Sequence, residues 1–302
     1  MAVNMLRVRG CAVFFVAIGF VPAAFAGPIT TNTALPVHEG ELIVRGQAKF
    51  LQSTGDGTAM NRNLTVWAAP TVFVYGANEK LALFGIIPYL DKRLSLNRAG
   101  GRRTRGDAGL GDLSVLARYT VGQWDRPQET LRLAPFVGVE APTGKDDTQD
   151  SLGRLPQPLQ LGSGSWDPIV GTILTWQKLA WEFDASGSYK LNTAANNFEA
   201  GDVARLDLSF QYRLSPFTVP GGVPAFLYAV LESNLIEQAK NRATGVNDPD
   251  SGGTSWFLAP GLQYVTRRWI LETAVQLPAV QDLNGNALEN DLIVTSGFRV
   301  IF

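Results

Sequence analysis

Apolar and polar residues alternate along most of the chain beyond residue 40. In residues 204–215 one face carries Ala204, Leu206, Leu208, Phe210, Tyr212 and Leu214, and the other carries Arg205, Asp207, Ser209, Gln211, Arg213 and Ser215. A repeat of two residues is the period of a β-strand, whereas an α-helix repeats every 3.6 residues. The pattern therefore predicts strands over most of the chain.

Twelve segments show this alternation, and each predicts one strand. They lie near residues 41–53, 63–76, 79–94, 109–121, 130–142, 164–176, 179–191, 202–215, 224–237, 254–266, 269–279 and 290–302. The second and third are less distinct, because apolar residues occupy both faces around "WAAPTVFVYG" and "LALFGIIPYL". Several segments contain a proline, which cannot donate to a sheet. The spacing of the whole set is stronger evidence than any single strand.

The connections between these segments alternate in length. Those after odd-numbered strands are long, and the longest covers residues 143–163, whereas most of those after even-numbered strands are short, such as "AN", "QK" and "RR". Outer-membrane barrels combine long extracellular loops with short periplasmic turns. We therefore expect an all-β fold consisting of a single transmembrane antiparallel β-barrel of about 12 strands. Because the strand number is even, both ends of the barrel lie on the periplasmic side.

A soluble β-sandwich is the alternative architecture, since it also has alternating strands and turns. Two features disfavour it. Strands in globular proteins are most often about five or six residues long, and the predicted strands here are about twice that length. Sandwich loops also have no reason to alternate between long and short.

Pairs of aromatic residues mark the two ends of several predicted strands. Trp166 and Trp176 are an even number of residues apart, so both rings point to the same face of a strand. A tilted strand of that length spans roughly 25 Å, which is the height of the apolar band of a membrane barrel. We expect aromatic belts at the two membrane interfaces, formed by Trp166, Trp176, Trp181, Tyr189, Trp256 and Tyr264.

The N-terminus has the features of a secretory signal peptide. Arg7 and Arg9 precede an apolar run over residues 11–25, and Ala24 and Ala26 occupy the small-residue cleavage positions. A membrane anchor is disfavoured, because the run is shorter than the ~20 residues that a spanning helix needs. We therefore expect three regions: a cleaved signal peptide at 1–26, a periplasmic N-terminal segment at 27–40 and the barrel at 41–302.

Few residues of the chain could perform catalysis or bind a metal ion. The single cysteine, Cys11, leaves with the signal peptide, and the single histidine, His38, lies before the first strand on the periplasmic side. Serine–histidine catalysis and zinc binding are therefore disfavoured. We interpret Asp146, Asp147 and Asp150 as a solvated acidic loop rather than an aspartate-based protease site.

Three short motifs are better explained as loops than as ligand sites. "GVEAPTGKD" has the wrong spacing for a phosphate-binding loop, and no helix follows it. "DPDSG" and "DLNGN" resemble the start of a calcium loop but lack the glutamate at the twelfth position. The net charge of −1 gives no argument for nucleic-acid binding. We expect no enzymatic activity, no cofactor, no metal and no nucleic-acid partner.

Three segments resemble a known family of outer-membrane proteins. They are "GDAGLGDLSVLARY" at 106–119, "APFVGVEAPTGK" at 134–145, and "GSGSWDPIVGTILTWQ" with "WEFDASGSYKLN", which reaches residue 192. The chain resembles the outer-membrane transporters of the phenol-degradation MetA-pathway type. The resemblance implies a barrel that takes up small, often apolar or aromatic compounds, and it implies no particular binding residue.

The polar faces of the predicted strands supply charged residues of both signs. A basic residue facing lipid at mid-membrane costs ~2–4 kcal/mol, whereas in the lumen it can pair and stay hydrated. We expect these residues to line the lumen, where they either hold the barrel together or select solutes: Arg45, Lys49, Arg118, Arg132, Glu140, Glu182, Asp184, Arg205, Asp207, Arg213, Glu232, Glu272 and Arg299.

The sequence leaves two functional classes open for a protein of the Gram-negative outer membrane. One is a channel or transporter for passive uptake of small apolar or aromatic solutes. The other is a barrel without transport, namely a scaffold, an adhesin or an enzyme that uses its loops. We expect a narrow lumen constricted by residues 143–163, whose charges would pair with wall residues such as Arg132 and Glu140. The expected partners are outer-membrane lipid, the solute and the barrel-assembly machinery, which reads Phe298, Val300 and Phe302 in the last strand.

The predicted cleavage site can be checked directly. Protein extracted from outer membranes is expected to begin at Gly27, because signal peptidase cuts after small residues such as those at positions 24 and 26. Intact-mass spectrometry of the extracted protein measures this. Mature protein that still contains Cys11 would contradict both the cleavage site and the export route.

Overall fold

Twelve strands form the wall of a closed antiparallel barrel in the computed structural model, which describes residues 27–216 and 225–302. The predicted signal peptide and most of the connection between the eighth and ninth strands lie outside the described residues. The wall strands are β1 (Leu42–Ser53), β2 (Asn63–Gly76), β3 (Leu81–Arg98), β4 (Gly101–Leu110 and Leu113–Tyr119), β5 (Glu129–Ala141), β6 (Asp167–Lys178), β7 (Trp181–Lys190), β8 (Val203–Ser215), β9 (Phe226–Gln238), β10 (Gly253–Val265), β11 (Trp269–Leu283) and β12 (Leu292–Ile301).

Each strand pairs with its neighbours in sequence, and the first and last strands close the barrel. The β1–β12 seam runs from the pair Ile43–Ile301 to the pair Gln52–Leu292 without a break in register. Closure removes the free edges that an open sheet would present to lipid. The predicted fold class and strand number are confirmed. In the described ranges, no helix has the length and apolar character needed to cross a membrane.

One predicted loop is instead part of the barrel wall. Residues 95–108 were expected to be an extracellular loop, but β3 and β4 continue as a hairpin that pairs Ser95 with Thr104 and Arg98 with Gly101. Gly100 and Gly101 turn the chain with positive φ angles of 97° and 110°, a conformation that favours glycine. Arginines cover this extension, which is why its polarity resembled that of a loop.

A second deviation lies on the periplasmic side. The connection at residues 122–129 contains a short strand, Gly122–Arg126, which pairs with Glu129–Leu133 at the start of β5. The turn is therefore a hairpin that extends beyond the wall. In β4 the ladder is interrupted at Gly111 and Asp112, and this break changes which residues of the strand face inward.

The six aromatic residues predicted to form belts lie at opposite ends of their strands. Those near the extracellular ends are Trp166, Tyr189 and Trp256, and those near the periplasmic ends are Trp176, Trp181 and Tyr264. Trp176 and Trp181, near the periplasmic ends of their strands, pack edge to face with their ring centroids 4.8 Å apart. The arrangement is the one that aromatic belts require, and their contact with the membrane interfaces stays a prediction.

The last strand places its aromatic residues on the outer surface. Phe298 and Phe302 are exposed, and Val300 lies on the same face between them. The ring of Phe298 packs over Gly46 of β1, where an added Cβ would lie only 2.7 Å from the ring. Recognition of this strand by the assembly machinery stays a prediction.

The orientation of the barrel can be tested on intact cells. An epitope inserted at Asp147 or Asn247 is expected to be labelled, because these exposed residues lie in connections that follow odd-numbered strands. An epitope beside Asp125, in the periplasmic hairpin, should be labelled only after permeabilisation. Surface immunofluorescence distinguishes the two, and the reverse pattern would invert the topology.

Candidate functional site

The N-terminal segment lies inside the barrel. We expected residues 27–40 to be periplasmic, but Gly27–Val37 cross the lumen, and only the following residues reach the periplasmic rim. At that rim Gly40 and Glu41 share backbone hydrogen bonds of 2.8 and 3.0 Å with Gly76 at the end of β2. A Cβ on Gly76 would lie 2.0 Å from the carbonyl oxygen of His38, so the close crossing requires glycine there. We refer to residues 27–37 as the plug.

Side chains of the wall satisfy the backbone of the plug. The carboxylate of Glu232 accepts hydrogen bonds from the backbone N–H groups of Ile29 and Thr30, at 2.7 and 2.9 Å. The Thr175 hydroxyl accepts one from the Ala34 N–H at 2.7 Å, and Arg118 donates to the carbonyl oxygen of Leu35 at 2.6 Å. Buried backbone groups need such partners. The polar wall therefore determines where the plug lies.

A carboxylate with two arginines anchors the first residues of the plug. Glu272 forms ion pairs with Arg45 at 2.7 Å and with Arg299 at 2.6 Å. Both guanidinium groups also donate to carbonyl oxygens of residues 27–29. Gln263 donates to the Gly27 carbonyl oxygen at 2.9 Å and to Glu272 at 3.2 Å. These four side chains thus join strands β10, β11, β12 and β1 to the plug.

Three apolar side chains of the plug bury against separate parts of the wall. Ile29 packs with residues of β9 and β11, Ala34 with residues of β5 and β6, and Val37 with residues of β2 and β3. Ile29 also lies over Gly261, where an added Cβ would be 2.8 Å from its terminal methyl group. The plug is therefore held by packing as well as by hydrogen bonds, at points that surround the lumen.

The inner wall is polar on one side and apolar on the other. From β7 to β12 and in β1, the inward-facing positions hold most of the charged and amide side chains that contact the plug. From β2 to β6, many of the inward-facing positions are apolar, as the alternation of burial along these strands shows. The apolar set includes Pro70, Val72, Val74, Phe84, Ile86, Leu116, Phe136 and Ile173.

A cavity of about 340 Å³ lies between the plug and the apolar side of the lumen. The apolar wall residues just named line it together with Ile29, Leu35 and Val37 of the plug. Polar lining comes chiefly from Arg45, Gln47 and Lys49 of β1, and from Arg118 of β4. An apolar cavity of about 150 Å³ can hold benzene. The space is thus sufficient for one substituted aromatic ring.

The charged residues predicted to line the lumen all occupy inward-facing positions. Several of them pair with one another or with other polar residues of the wall. Lys190 lies 2.5 Å from Glu140, and Arg205 lies 3.1 Å from Asp207. Asp184 accepts a hydrogen bond from Thr175 at 2.5 Å, and Glu182 accepts one from Gln177 at 2.5 Å. Arg213 lies over the ring of Phe226 at 5.4 Å. Their part in solute passage stays a proposal.

Sequence reasoning missed the apolar side of the cavity. The inward-facing residues of β2 and β3, among them Val72, Phe84 and Ile86, lie in the two segments with apolar residues on both faces. That pattern weakened the strand prediction, but it also indicates a strand with lipid on one side and an apolar lumen on the other. No sequence pattern identified the plug, because most of its hydrogen bonds to the wall are made by backbone groups, which do not depend on the residue type.

The loop at residues 143–163 packs against the inner side of the β3–β4 extension. Arg105 pairs with Asp150 at 2.7 Å, and this contact holds the pKa of the exposed Asp150 carboxyl below its usual value. Lys92 donates to the Gln160 carbonyl oxygen at 2.6 Å. The expected pairing with Arg132 and Glu140 is wrong, because Arg132 pairs with Asp125 and Glu140 with Lys190. The loop lies at the extracellular mouth and contributes no lining to the cavity.

The single histidine lies at the periplasmic rim and not on the barrel wall. The backbone N–H of His38 donates to the carboxylate of Glu41 at 3.0 Å, and its side chain is exposed. Across the described ranges, no group of three or more His, Cys, Asp or Glu side chains is arranged to hold a metal ion.

A closed barrel of twelve long antiparallel strands, with aromatic residues at both ends of its outer surface, defines an outer-membrane β-barrel protein. The chain belongs to the family named for the MetA-pathway of phenol degradation, whose model matches residues 49–281. The resemblance seen in the sequence is thereby confirmed. No curated protein matches the chain.

The chain is similar to several solved structures, and it shares the fold of the first one described here. An outer-membrane channel from Pseudomonas putida F1 is 14% identical to this chain with a TM-score of 0.67, and the match covers 95% of this chain and 100% of that one. The β-domain of the Bordetella autotransporter BrkA is 14% identical, with a TM-score of 0.45 and coverage of 87% and 100%. The translocator domain of NalP from Neisseria meningitidis is 12% identical, with a TM-score of 0.46 and coverage of 89% and 91%.

Loss of a wall acceptor is expected to loosen the plug. In a Glu232→Ala variant the N–H groups of Ile29 and Thr30 lose their partner, and each unsatisfied donor costs about 1–3 kcal/mol. Amide exchange at these two residues should then accelerate at least about tenfold, as measured by hydrogen–deuterium exchange in detergent. Glu237→Gln, on the exposed face of the same strand, is the matched control. Unchanged exchange in a folded Glu232→Ala barrel would show that the wall does not hold the plug.

Proposed function

We propose that this protein is a passive outer-membrane channel for small apolar molecules, and that the plug closes its lumen at rest. The observation that supports this most is the cavity of about 340 Å³ with one apolar wall inside the barrel. A scaffold or an adhesin needs only its outer loops, and an apolar surface inside a barrel has no use in either. Pockets for small molecules are commonly concave and mostly apolar, with a few polar groups.

Permeation requires the plug to move. Its contacts with β1, β4, β6, β9 and β11 reach around the lumen, so a solute passing between cavity and periplasm meets residues 27–37. The loop at 143–163 lies above the cavity at the other end. We therefore assign closure on the periplasmic side to the plug, and not to the long extracellular loop.

The proposal gives the barrel no catalytic role. His38 lies at the periplasmic rim, and its exposed side chain forms no hydrogen bond with another described residue. The carboxylates of Glu182 and Asp184 accept hydrogen bonds from neighbouring wall side chains, and those of Glu232 and Glu272 hold the plug. These groups are engaged in positioning, which favours a channel over an enzyme that uses the lumen.

The closure can be tested with a disulfide that locks the plug. Thr31 and Ser186 face each other with their hydroxyl oxygens 3.0 Å apart, and residues 27–302 contain no native cysteine. The oxidised double variant Thr31→Cys with Ser186→Cys is expected to conduct least in planar bilayers, and reduction should restore the wild-type conductance. Deletion of residues 27–37 should give the largest conductance and the fastest uptake of small aromatics into liposomes.

The control is a second cysteine pair that does not touch the plug. Ser95 and Thr104 face each other at 2.7 Å in the extracellular β3–β4 hairpin, so oxidation of that pair should leave conductance unchanged. Replacing residues 146–161 with a short Gly-Ser linker should raise conductance less than the deletion does. If the deletion variant folds and passes neither ions nor small aromatics, the channel proposal fails and a scaffold or adhesin takes its place.

A further inference from the structure

One cation that lines the cavity has no carboxylate at ion-pair distance among the described residues. Lys49 projects inward from β1 and lines the cavity. Among the described residues, its ammonium group has neither a hydrogen-bond partner nor a carboxylate at ion-pair distance. The neighbouring cations are engaged, since Arg45 and Arg299 flank Glu272, and Arg118 donates to the plug. Lys49 is therefore available to a bound molecule.

The carboxylates nearest to Lys49 are already committed. Glu272 accepts from two arginines, and Glu232 accepts from two backbone N–H groups of the plug. The ammonium group of Lys49 therefore remains for a partner in the cavity that it lines. A group that accepts hydrogen bonds and carries negative charge fits it.

The rest of the cavity selects an apolar body. Val72, Phe84, Ile86, Leu116 and Phe136 line the same cavity as Lys49, and this cavity is large enough for a substituted ring. A molecule with a second charge would leave that charge against these side chains, at a desolvation cost. The ligand therefore combines one anionic end with an apolar remainder.

We propose that the cavity binds a small apolar molecule carrying one carboxylate, which pairs with Lys49 while its apolar body lies against β2, β3 and β4. This inference rests on the proposed channel function and names the class of solute. A charge-assisted hydrogen bond is shorter and stronger than a neutral one. Lys49 thus distinguishes an apolar acid from a neutral molecule of the same shape.

Binding is measured on the full-length purified barrel in detergent, by fluorine NMR titration with three probes. These are 4-fluorobenzoate, 4-fluorobenzyl alcohol and 4-fluorobenzylammonium. The wild type is expected to bind the acid at least about tenfold more tightly than the alcohol, and the ammonium compound least. Lys49→Gln should remove the preference for the acid and leave affinity for the alcohol within about twofold, and Lys49→Arg should keep the preference.

Two further variants separate the site from general effects of charge or packing. Lys80→Gln removes a positive charge in an exposed periplasmic turn and should change nothing. Ile86→Ala shortens the apolar wall and should weaken all three probes by a common factor of at least about three. Equal affinity of the wild type for acid and alcohol, unchanged acid binding in Lys49→Gln, or no binding of any probe to the folded barrel would each overturn the inference.

Failure of the channel function gives a different result. One possible result is that the acid binds with the expected dependence on Lys49, but neither the plug-deleted protein nor the reduced form of the Thr31→Cys, Ser186→Cys variant transports it. In that case the binding site stands and the transport proposal fails. If solutes pass through the plug-deleted barrel without a preference for the acid, transport stands and the assignment to Lys49 fails.

Discussion

Barrel closure places two arginines opposite each other across the seam. The arrangement of side chains and plug in this part of the lumen depends on how the two positive charges are balanced. Arg45 and Arg299 are direct partners across the seam between the first and last strands. Like charges placed opposite each other destabilise a sheet. Glu272 of the adjacent strand lies between them and pairs with both. The guanidinium N–H groups that this carboxylate does not use then point to the lumen, where they donate to the backbone of residues 27–29. One carboxylate therefore stabilises both the seam and the first residues of the plug.

From this anchor, the two sides of the lumen acquire different roles. The polar side satisfies the backbone of the plug, because buried N–H and carbonyl groups need partners. The apolar side offers fewer such groups, chiefly Arg118 and Thr175, and its other contacts with the plug are packing contacts. A cavity follows as a consequence, bounded by apolar side chains and by several cations, of which Lys49 makes no hydrogen bond to the described residues of the plug. The difference between the polar and apolar sides of the inner wall thus leaves a binding space beside the plug.

The sequence predicted the wall better than the lumen, and the reasons are physical. Alternation with a period of two depends on lipid on one side and water or protein on the other, so it identified all twelve strands and the inward orientation of residues such as Glu232. It could not identify the β3–β4 extension, which leaves the membrane and is covered by arginines. Nor could it find the plug, whose position depends on backbone hydrogen bonds made to Glu232, Thr175 and Arg118 over separations of more than a hundred residues in two of the three cases. The apolar stretches of β2 and β3 did contain the signal for the cavity, but only closure shows which of their faces looks inward.

The central claim is that residues 27–37 occupy the lumen of the protein in a membrane. Pulsed electron paramagnetic resonance tests it most directly, with one spin label on Asn32 of the plug and one on Val137, which faces outward in the middle of β5. Cysteines can be introduced at both positions because residues 27–302 contain none. The account predicts a single narrow distance distribution in reconstituted liposomes, since the plug is fixed to the wall at several points. A broad distribution at longer distances would place the segment in the periplasm and contradict the account.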